Sequence, residues 1–444
     1  MVILSYMTSP QASPPWALFE RIAPESYFDE LVRLYKLRRR KRIYSLSVVI
    51  WLMIYQRLNC DASLMTAVLA LPRRWRQSGT PTSASTGAYC QARQRVPTLV
   101  AEQVSDHIFE TLQGRTRVSG QRPVVLVDGT TLRMEHEAEL VRAFPPGHND
   151  HGENRWPVML LVAFHDAHTG LAARPSWGPM YGPKPTSEQQ LAAQALARVP
   201  ADALVLGDGN FGIFAFAHTV VGSGRPVLLR LTALRAKCIL GKRPAKLGCH
   251  RVVWRASVWD RKTHPELPPE AHLEGWVVVC THPLKKGERL YFFTTLEQRP
   301  RQVLACYKLR WNIETDLRNL KRTVNLYQLR GRSLGVVEKE VLLAVTGYNL
   351  VRAVMFQAAQ LRGCTPRQLS FAHVQAAVLS ALPGLEQAHS QSQREQRMRE
   401  LVKVAAQLAL PRRKRKRRSY PRKVWKRGAS FPIRTLHAEP REPR

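Results

Sequence analysis

Residues 123–132 read PVVLVDGTTL, a continuous apolar run closed by Asp128 and Gly129. An apolar run with no polar interruption is the profile of a strand covered on both faces, as in the centre of an α/β sheet. Residues 203–211, ALVLGDGNF, repeat that profile and close on Asp208. The carboxyl ends of such strands are where an α/β sheet presents ligand-binding side chains. Taken singly, each Asp-Gly is also an ordinary turn signal.

The segments around these two runs fill in the order of elements. VMLLVAFHD (158–166) and LAARPSWGPM (171–180) flank the turn AHTG and predict a hairpin. TSEQQLAAQALARV (186–199) opens on a T-x-x-Q capping box and reads as a helix. A helix around 213–221 and a strand over PVLLRLT (226–232) follow. The order is strand, hairpin, helix, strand, helix, strand. Residues 236–290 alternate β-branched and aromatic residues with polar ones and read as a small antiparallel β insertion, after which RLYFFTTL (289–296) returns to the main sheet. Residues 17–115 read as several short helices carrying surface Arg and Lys, which suits a DNA-binding module. Helices are expected again at 336–363 and 366–382, and from 411 the chain is basic, Pro-containing and expected to be disordered when free.

Between them lies YKLRWNIETDLRNLK, residues 307–321, predicted as part of one long helix from about 300 to 324. Tyr307, Arg310, Glu314 and Lys321 have the spacing Y-x2-R-x3-E-x6-K. At about 100° per residue they fall within about 60° of one another, on one stripe. Leu309, Ile313, Leu317, Leu320 and Val324 form the neighbouring apolar stripe and are expected to face the core. Arg310 and Glu314 are also spaced as a plain i,i+4 ion pair on a solvated helix face. Asp128, Asp208 and Glu314 together would bring three carboxylates from two strands and a helix. Hard divalent cations take oxygen ligands, and two of them about 4 Å apart can clamp both the attacking and the leaving oxygen of a phosphodiester. Without a cation, three such groups repel one another.

The chain has 444 residues and a formal net charge of +35, with 68 Lys and Arg against 33 Asp and Glu. That self-repulsion makes sense beside a polyanion: nucleic acid first, an anionic membrane surface a remote second. The basic runs at 37–42 and 411–427 concentrate only part of the excess. No stretch of 18 consecutive apolar residues is present, the N-terminus lacks the basic start of a secretory signal, and seven scattered cysteines fit a reducing, cytosolic compartment. Cys238, Cys249 and His250 lack the spacing of a zinc site. His148 and His151, and His165, Asp166 and His168, lie in polar, loop-like stretches that read as turns. Glu188 stands where it can approach the aspartates or merely stabilise a helix N-terminus.

With these residues in place, the chain resembles DDE transposases of the insertion-sequence-four group, whose mark is the Tyr-Arg-Glu-Lys signature. The resemblance covers roughly residues 20–400 and implies an α/β RNase H-like catalytic core with a β-strand insertion, plus helical N-terminal and C-terminal regions. It divides the chain into a helical DNA-binding region (1–115), the first part of the core (116–235), the β-rich insertion (236–290), the core's signature helix (291–335), a helical C-terminal region (336–410) and a basic tail (411–444). It implies that Asp128, Asp208 and Glu314 hold a pair of Mg²⁺ ions, with Mn²⁺ able to substitute, and that Tyr307, Arg310 and Lys321 contact DNA phosphates. It further implies cleavage and strand transfer at terminal inverted repeats, a homodimer in a synaptic complex with target DNA, no membrane partner, and a bacterial cytoplasmic, nucleoid-associated location. Some relatives stack a tryptophan of the insertion on a flipped base. Trp254, Trp259 and Trp276 lie in that region, and core packing explains them equally well. An inactive DNA-binding descendant and a metal-dependent nuclease without strand transfer are the alternative readings.

Overall fold

The computed structural model describes residues 21–37, 43–59, 61, 63–71, 85–149, 152–153, 155–241, 245–283, 287–327, 329–388 and 390–411. The chain divides into Met1–Ala409 and Leu410–Arg444. Every element below belongs to the first unit, and of the second only residues 410 and 411 are described. His151 and most of both basic runs therefore lie outside the described residues.

The strands are β1 (Val124–Arg133), β2 (His148–Asn149), β3 (Gly152–Glu153), β4 (Val158–Asp166), β5 (Ser176–Pro179), β6 (Leu204–Gly207), β7 (Val227–Leu231), β8 (Gly248–Arg255), β9 (His272–Thr281) and β10 (Arg289–Thr294). β2 and β3 pair with each other, and the other eight form one sheet in the order β5-β4-β1-β6-β7-β10-β9-β8. β1, β6 and β7 are mutually parallel and every other pairing is antiparallel. Leu126, Leu206 and Leu228 at the heart of the parallel trio are fully buried, as the uninterrupted apolar runs require. The strands of 236–290 continue the main sheet, because β10 pairs with β7 from Tyr291↔Leu231 to Thr294↔Leu228 and carries β9 and β8 outward. β8 alternates exposed and buried positions, as a one-faced edge strand does.

The helices are α1 (Glu25–Leu34), α2 (Leu46–Leu58), α3 (Leu64–Leu69), α4 (Gly87–Arg95), α5 (Thr98–Thr116), α6 (Ala138–Ala143), α7 (Glu188–Ala195), α8 (Phe214–Gly222), α9 (Ala233–Leu240), α10 (Val258–Thr263), α11 (Pro300–Lys308), α12 (Trp311–Arg318), α13 (Leu334–Arg362), α14 (Phe371–Glu386) and α15 (Gln391–Gln407). α7 starts one residue later than its sequence suggests. The reciprocal cap is Ser187 with Gln190, because the Thr186 hydroxyl donates instead to the Pro179 carbonyl. α13 is long and apolar enough to cross a membrane by length and composition alone, but 89% of its most apolar window is buried within the protein. It packs against α2, α5, α14 and α15. Its Lys339 ammonium donates to the carbonyls of Arg93 (2.7 Å), Gln94 (3.3 Å) and Val96 (2.7 Å) at the end of α4, and Glu340 accepts from Arg93 at 2.8 Å. Burial pushes the Lys339 pKa down to about 8.

The single helix expected from 300 to 324 is not uniform. Around residues 309–313 it tightens to i→i−3 bonds, with the N–H of Leu309, Arg310, Asn312 and Ile313 reaching the carbonyls of Cys306, Tyr307, Leu309 and Arg310. From Asn319 to Thr323 it widens into a π-turn. π-turns of this kind recur at functional sites. The predicted apolar stripe holds: Ile313, Leu317, Leu320 and Val324 are buried, and Leu309 is partly so.

Candidate active site

The two aspartates are brought together by strand register. β1 and β6 pair in parallel as Val124↔Leu204, Val125↔Val205 and Leu126↔Leu206. That register runs the two strands towards the same end, so Asp128, within β1, and Asp208, just past the end of β6 at Gly207, come close enough for the charge of Asp208 to act on Asp128. Both carboxylates are fixed by backbone N–H groups: Asp128 Oδ1 accepts from Gly129 at 2.8 Å, and Asp208 Oδ1 accepts from Asn210 at 2.9 Å. Burial pushes the Asp128 pKa up to about 6, and the charges of Asp208 and Glu188 add to that rise against the Gly129 hydrogen bond and Arg310.

Glu188 joins this pair from the first turn of α7. Its Oε2 accepts from Asn210 Nδ2, and Gln189 Nε2 donates to the Asn210 backbone carbonyl (2.8 Å) and side-chain oxygen (3.0 Å). Burial raises its pKa, and Asp208 raises it further against the Asn210 bond. Its carboxylate rests on Gly129, where a Cβ would lie 2.2 Å from Oε1.

The signature residues arrive on α11, α12 and the π-turn, with α12 packed against β1. The hydroxyl of Tyr307 is buried; Tyr307 is 8% exposed and its ring packs on Phe292 with centroids 4.7 Å apart. Burial lifts its pKa against the pull of Arg310 and Arg230. Arg310 donates to Glu314 Oε1 at 2.7 Å and lies 4.9 Å over the Trp311 ring. Burial works against the Arg310 charge, but the Glu314 bond and the charges of Tyr307, Glu314 and Asp208 outweigh it and raise its pKa. The Glu314 side chain is 41% exposed. Thus Asp128, Asp208 and Glu188 share one electrostatic neighbourhood with Arg310, and Glu314 is tied to it through that guanidinium. Lys321 stands further along, where burial and the charges of Arg133 and Arg322 lower its pKa.

What holds α12 in place is a buried cluster that the sequence did not disclose. Asp316, fully buried, accepts from Arg352 Nη2 at 2.5 Å and from Arg367 Nη1 at 2.7 and 2.8 Å, with His165 Nδ1 at 3.7 Å. Burial disfavours the Asp316 charge, but the arginines beside it keep its pKa low. Burial drives His165 down to about 4 despite Asp316, so the ring is neutral. Arg367 also donates to the carbonyls of Asp166 and Ala167. Three segments distant in sequence meet at one carboxylate, and no local spacing signals such a meeting.

The remaining candidates separate cleanly. Asp166 Oδ1 accepts from the N–H groups of His168 and Thr169, which is turn chemistry as expected. His165 lies within β4, as the strand reading of 158–166 has it rather than the turn reading, and is buried. Trp254 is core, edge-on to Phe214 and Phe293, whereas Trp259 on α10 is 62% exposed.

The oxygen-rich set of Asp128, Asp208, Glu188 and Glu314 suits a hard divalent cation. Among the described residues, no three or more of His, Cys, Asp and Glu are grouped so as to hold a metal ion, the two aspartates with Glu188 included, and Arg310 engages Glu314. A family model described as a transposase DDE domain matches residues 119–350, more than half of the chain. No curated protein matches it.

Proposed function

The chain belongs to the transposase DDE domain family, and from that premise we propose that it is a DNA transposase that cuts and joins strands at the terminal inverted repeats of an insertion sequence of the insertion-sequence-four group. The observation that carries this reading is the parallel register of β1 with β6, which brings Asp128 and Asp208 to the same end of the sheet, with Arg310 at the start of α12 in the field of both and bonded to Glu314. The strand, hairpin, helix, strand order supports an RNase H-like core.

In this reading Asp128, Asp208 and Glu314 hold Mg²⁺ or Mn²⁺, most simply as a pair. The bound cations would activate a water and steady the charge that builds on the phosphodiester oxygens. The protein's own residues orient the DNA. Arg310 and Lys321 neutralise phosphate charge and the Tyr307 hydroxyl bonds a phosphate oxygen. In the free protein Arg310 occupies Glu314. A phosphate arriving at Arg310 would release the carboxylate, coupling DNA binding to completion of the cation site. The strong positive charge supplies sequence-independent affinity, and a synaptic homodimer would hold two ends at once. The cytoplasmic nucleoid is the matching location.

The test is cleavage of DNA carrying the element's own ends, with Mg²⁺ or Mn²⁺, by the unaltered protein and by Glu314→Gln. Metal-dependent exposure of 3′-hydroxyls at the end boundary, followed by joining to target DNA and lost in the variant while end binding survives, is the expected result. Cleavage without joining would leave a nuclease. Binding without cleavage in either protein, across both metals and with paired ends, would leave a DNA-binding descendant without chemistry.

A further inference from the structure

We propose that Glu188 is a fourth acidic residue of the cation-holding site, kept in place by Asn210 and admitted by the absence of a side chain at Gly129. The inference rests on the reading of Asp128 and Asp208 as cation ligands and extends it to a residue outside the signature.

Asn210 joins two of the acids directly. Its backbone N–H bonds the Asp208 carboxylate and its side-chain amide bonds Glu188. Gln189 fixes the orientation of that amide by donating to its oxygen, so the NH₂ end must face Glu188. Gln189 and Glu188 are adjacent at the start of α7, and the Ser187–Gln190 cap sets the direction of that first turn. Glu188 is thus held on the bare backbone of Gly129, next to Asp128. A separate observation points to a ligand at this place. The Tyr307 hydroxyl, on a residue only 8% exposed, faces Arg230 yet makes no hydrogen bond of normal geometry. A buried hydroxyl held this loosely beside Arg230, in the field of Asp208, has capacity left for a phosphate oxygen or a cation-bound water. Two cations held by three carboxylates leave many positions to water. A fourth carboxylate raises the negative charge of the site and fills one of them.

The measurement is Mn²⁺ binding to the full-length protein without DNA, followed by the electron paramagnetic resonance of free Mn²⁺. Glu188→Gln should weaken binding on the order of tenfold or more, comparably to Asp128→Asn. A loss of charge alone would also weaken binding through space, so the second variant keeps the charge. Gly129→Ala places a methyl 2.2 Å from Glu188 Oε1 and displaces the carboxylate. It should weaken Mn²⁺ binding in the unaltered background and have little further effect in Glu188→Gln. Far-UV circular dichroism without cation checks that each variant is folded. Unchanged binding in folded Glu188→Gln beside weakened binding in Asp128→Asn overturns the role of Glu188 and leaves the transposase reading standing. Unchanged binding in both variants overturns both. Additive losses in Gly129→Ala and Glu188→Gln would also remove Glu188 from the set.

Discussion

Asp128→Asn should stabilise the cation-free protein at neutral pH, and the size of the gain follows from its surroundings. The folded state holds the Asp128 pKa at about 6, against 3.8 for an unburdened aspartate. Each unit is about 1.4 kcal/mol, so the ceiling for the penalty of ionising it is about 3 kcal/mol. Asp128 is only half-buried, and solvent screening brings the expected figure to about 1–2 kcal/mol. Because the folded pKa is raised, the stability associated with the neutral acid is fully present below about pH 4 and is lost as pH rises through about 6. Asparagine keeps an oxygen for the Gly129 N–H and never ionises. The variant should therefore match the unaltered protein near pH 4, pull ahead between pH 4 and 6, and melt about 1–2 °C higher at pH 7. Differential scanning calorimetry in EDTA across pH 4–7 measures this directly. A pH-independent difference, or a variant less stable at pH 7, would refute the argument that burial and crowded carboxylates strain this site. Added Mn²⁺ should reverse the ranking, because the cation stabilises only the protein that retains the charge.

Asp316→Asn should destabilise the fold by about 3–5 kcal/mol, seen as a lower urea midpoint, because Arg352 loses its buried counter-charge; a loss below about 1 kcal/mol would show the cluster to be loosely held. Lys339→Met should weaken the fold by about 1–3 kcal/mol by leaving the carbonyls of Arg93 and Val96 without donors. Since the folded pKa of Lys339 is depressed to about 8, the unaltered protein should gain stability from about pH 8 towards 10.5, and that gain should vanish in Lys339→Met. DNA affinity should fall about 10³–10⁵-fold between 50 and 200 mM salt if six to ten phosphates are contacted, and a flat salt response would contradict an electrostatic interface.

The parts of this architecture that are local in sequence could be read from it. The apolar runs ending at Asp128 and Asp208 are buried strands because nothing polar interrupts them, and the stripe through Ile313, Leu317 and Leu320 is buried because its period matches a helix. What the sequence hid is pairing at a distance. Alternation in β8 and β9 identifies strands, but only β10's partnership with β7 decides that they extend the main sheet. The capping of α7 moved to Ser187 because Thr186 finds the Pro179 carbonyl, a contact outside the helix. The tightening around Arg310 and the widening at Asn319 are likewise invisible to a fixed period. Glu188 was legible as a helix-start acid, and its closeness to Asp208 depends on Asn210, twenty-two residues away. Among the signature residues, Tyr307 and Arg310 feel the charge of Asp208, Glu314 is joined to them through Arg310, and Lys321 stands further along, towards Arg133.

The Asp316 cluster also bears on how the protein is made. A ribosome releases Asp128, Asp208 and Glu314 well before Arg352 and Arg367. Until both arginines have emerged, Asp316 has no guanidinium to receive it, and α12 lacks its anchor to the sheet. A nascent or prematurely terminated chain thus carries Asp128, Asp208 and Glu314 without the contacts that anchor α12. The same holds for a fragment cut at the limits of the matching domain, because residue 350 falls just short of both arginines. Such a fragment would bury a solitary carboxylate where the whole chain buries a neutralised one. The folded unit therefore reaches past the region of family likeness, and synthesis must run to Arg367 before Asp316 has both of its arginines.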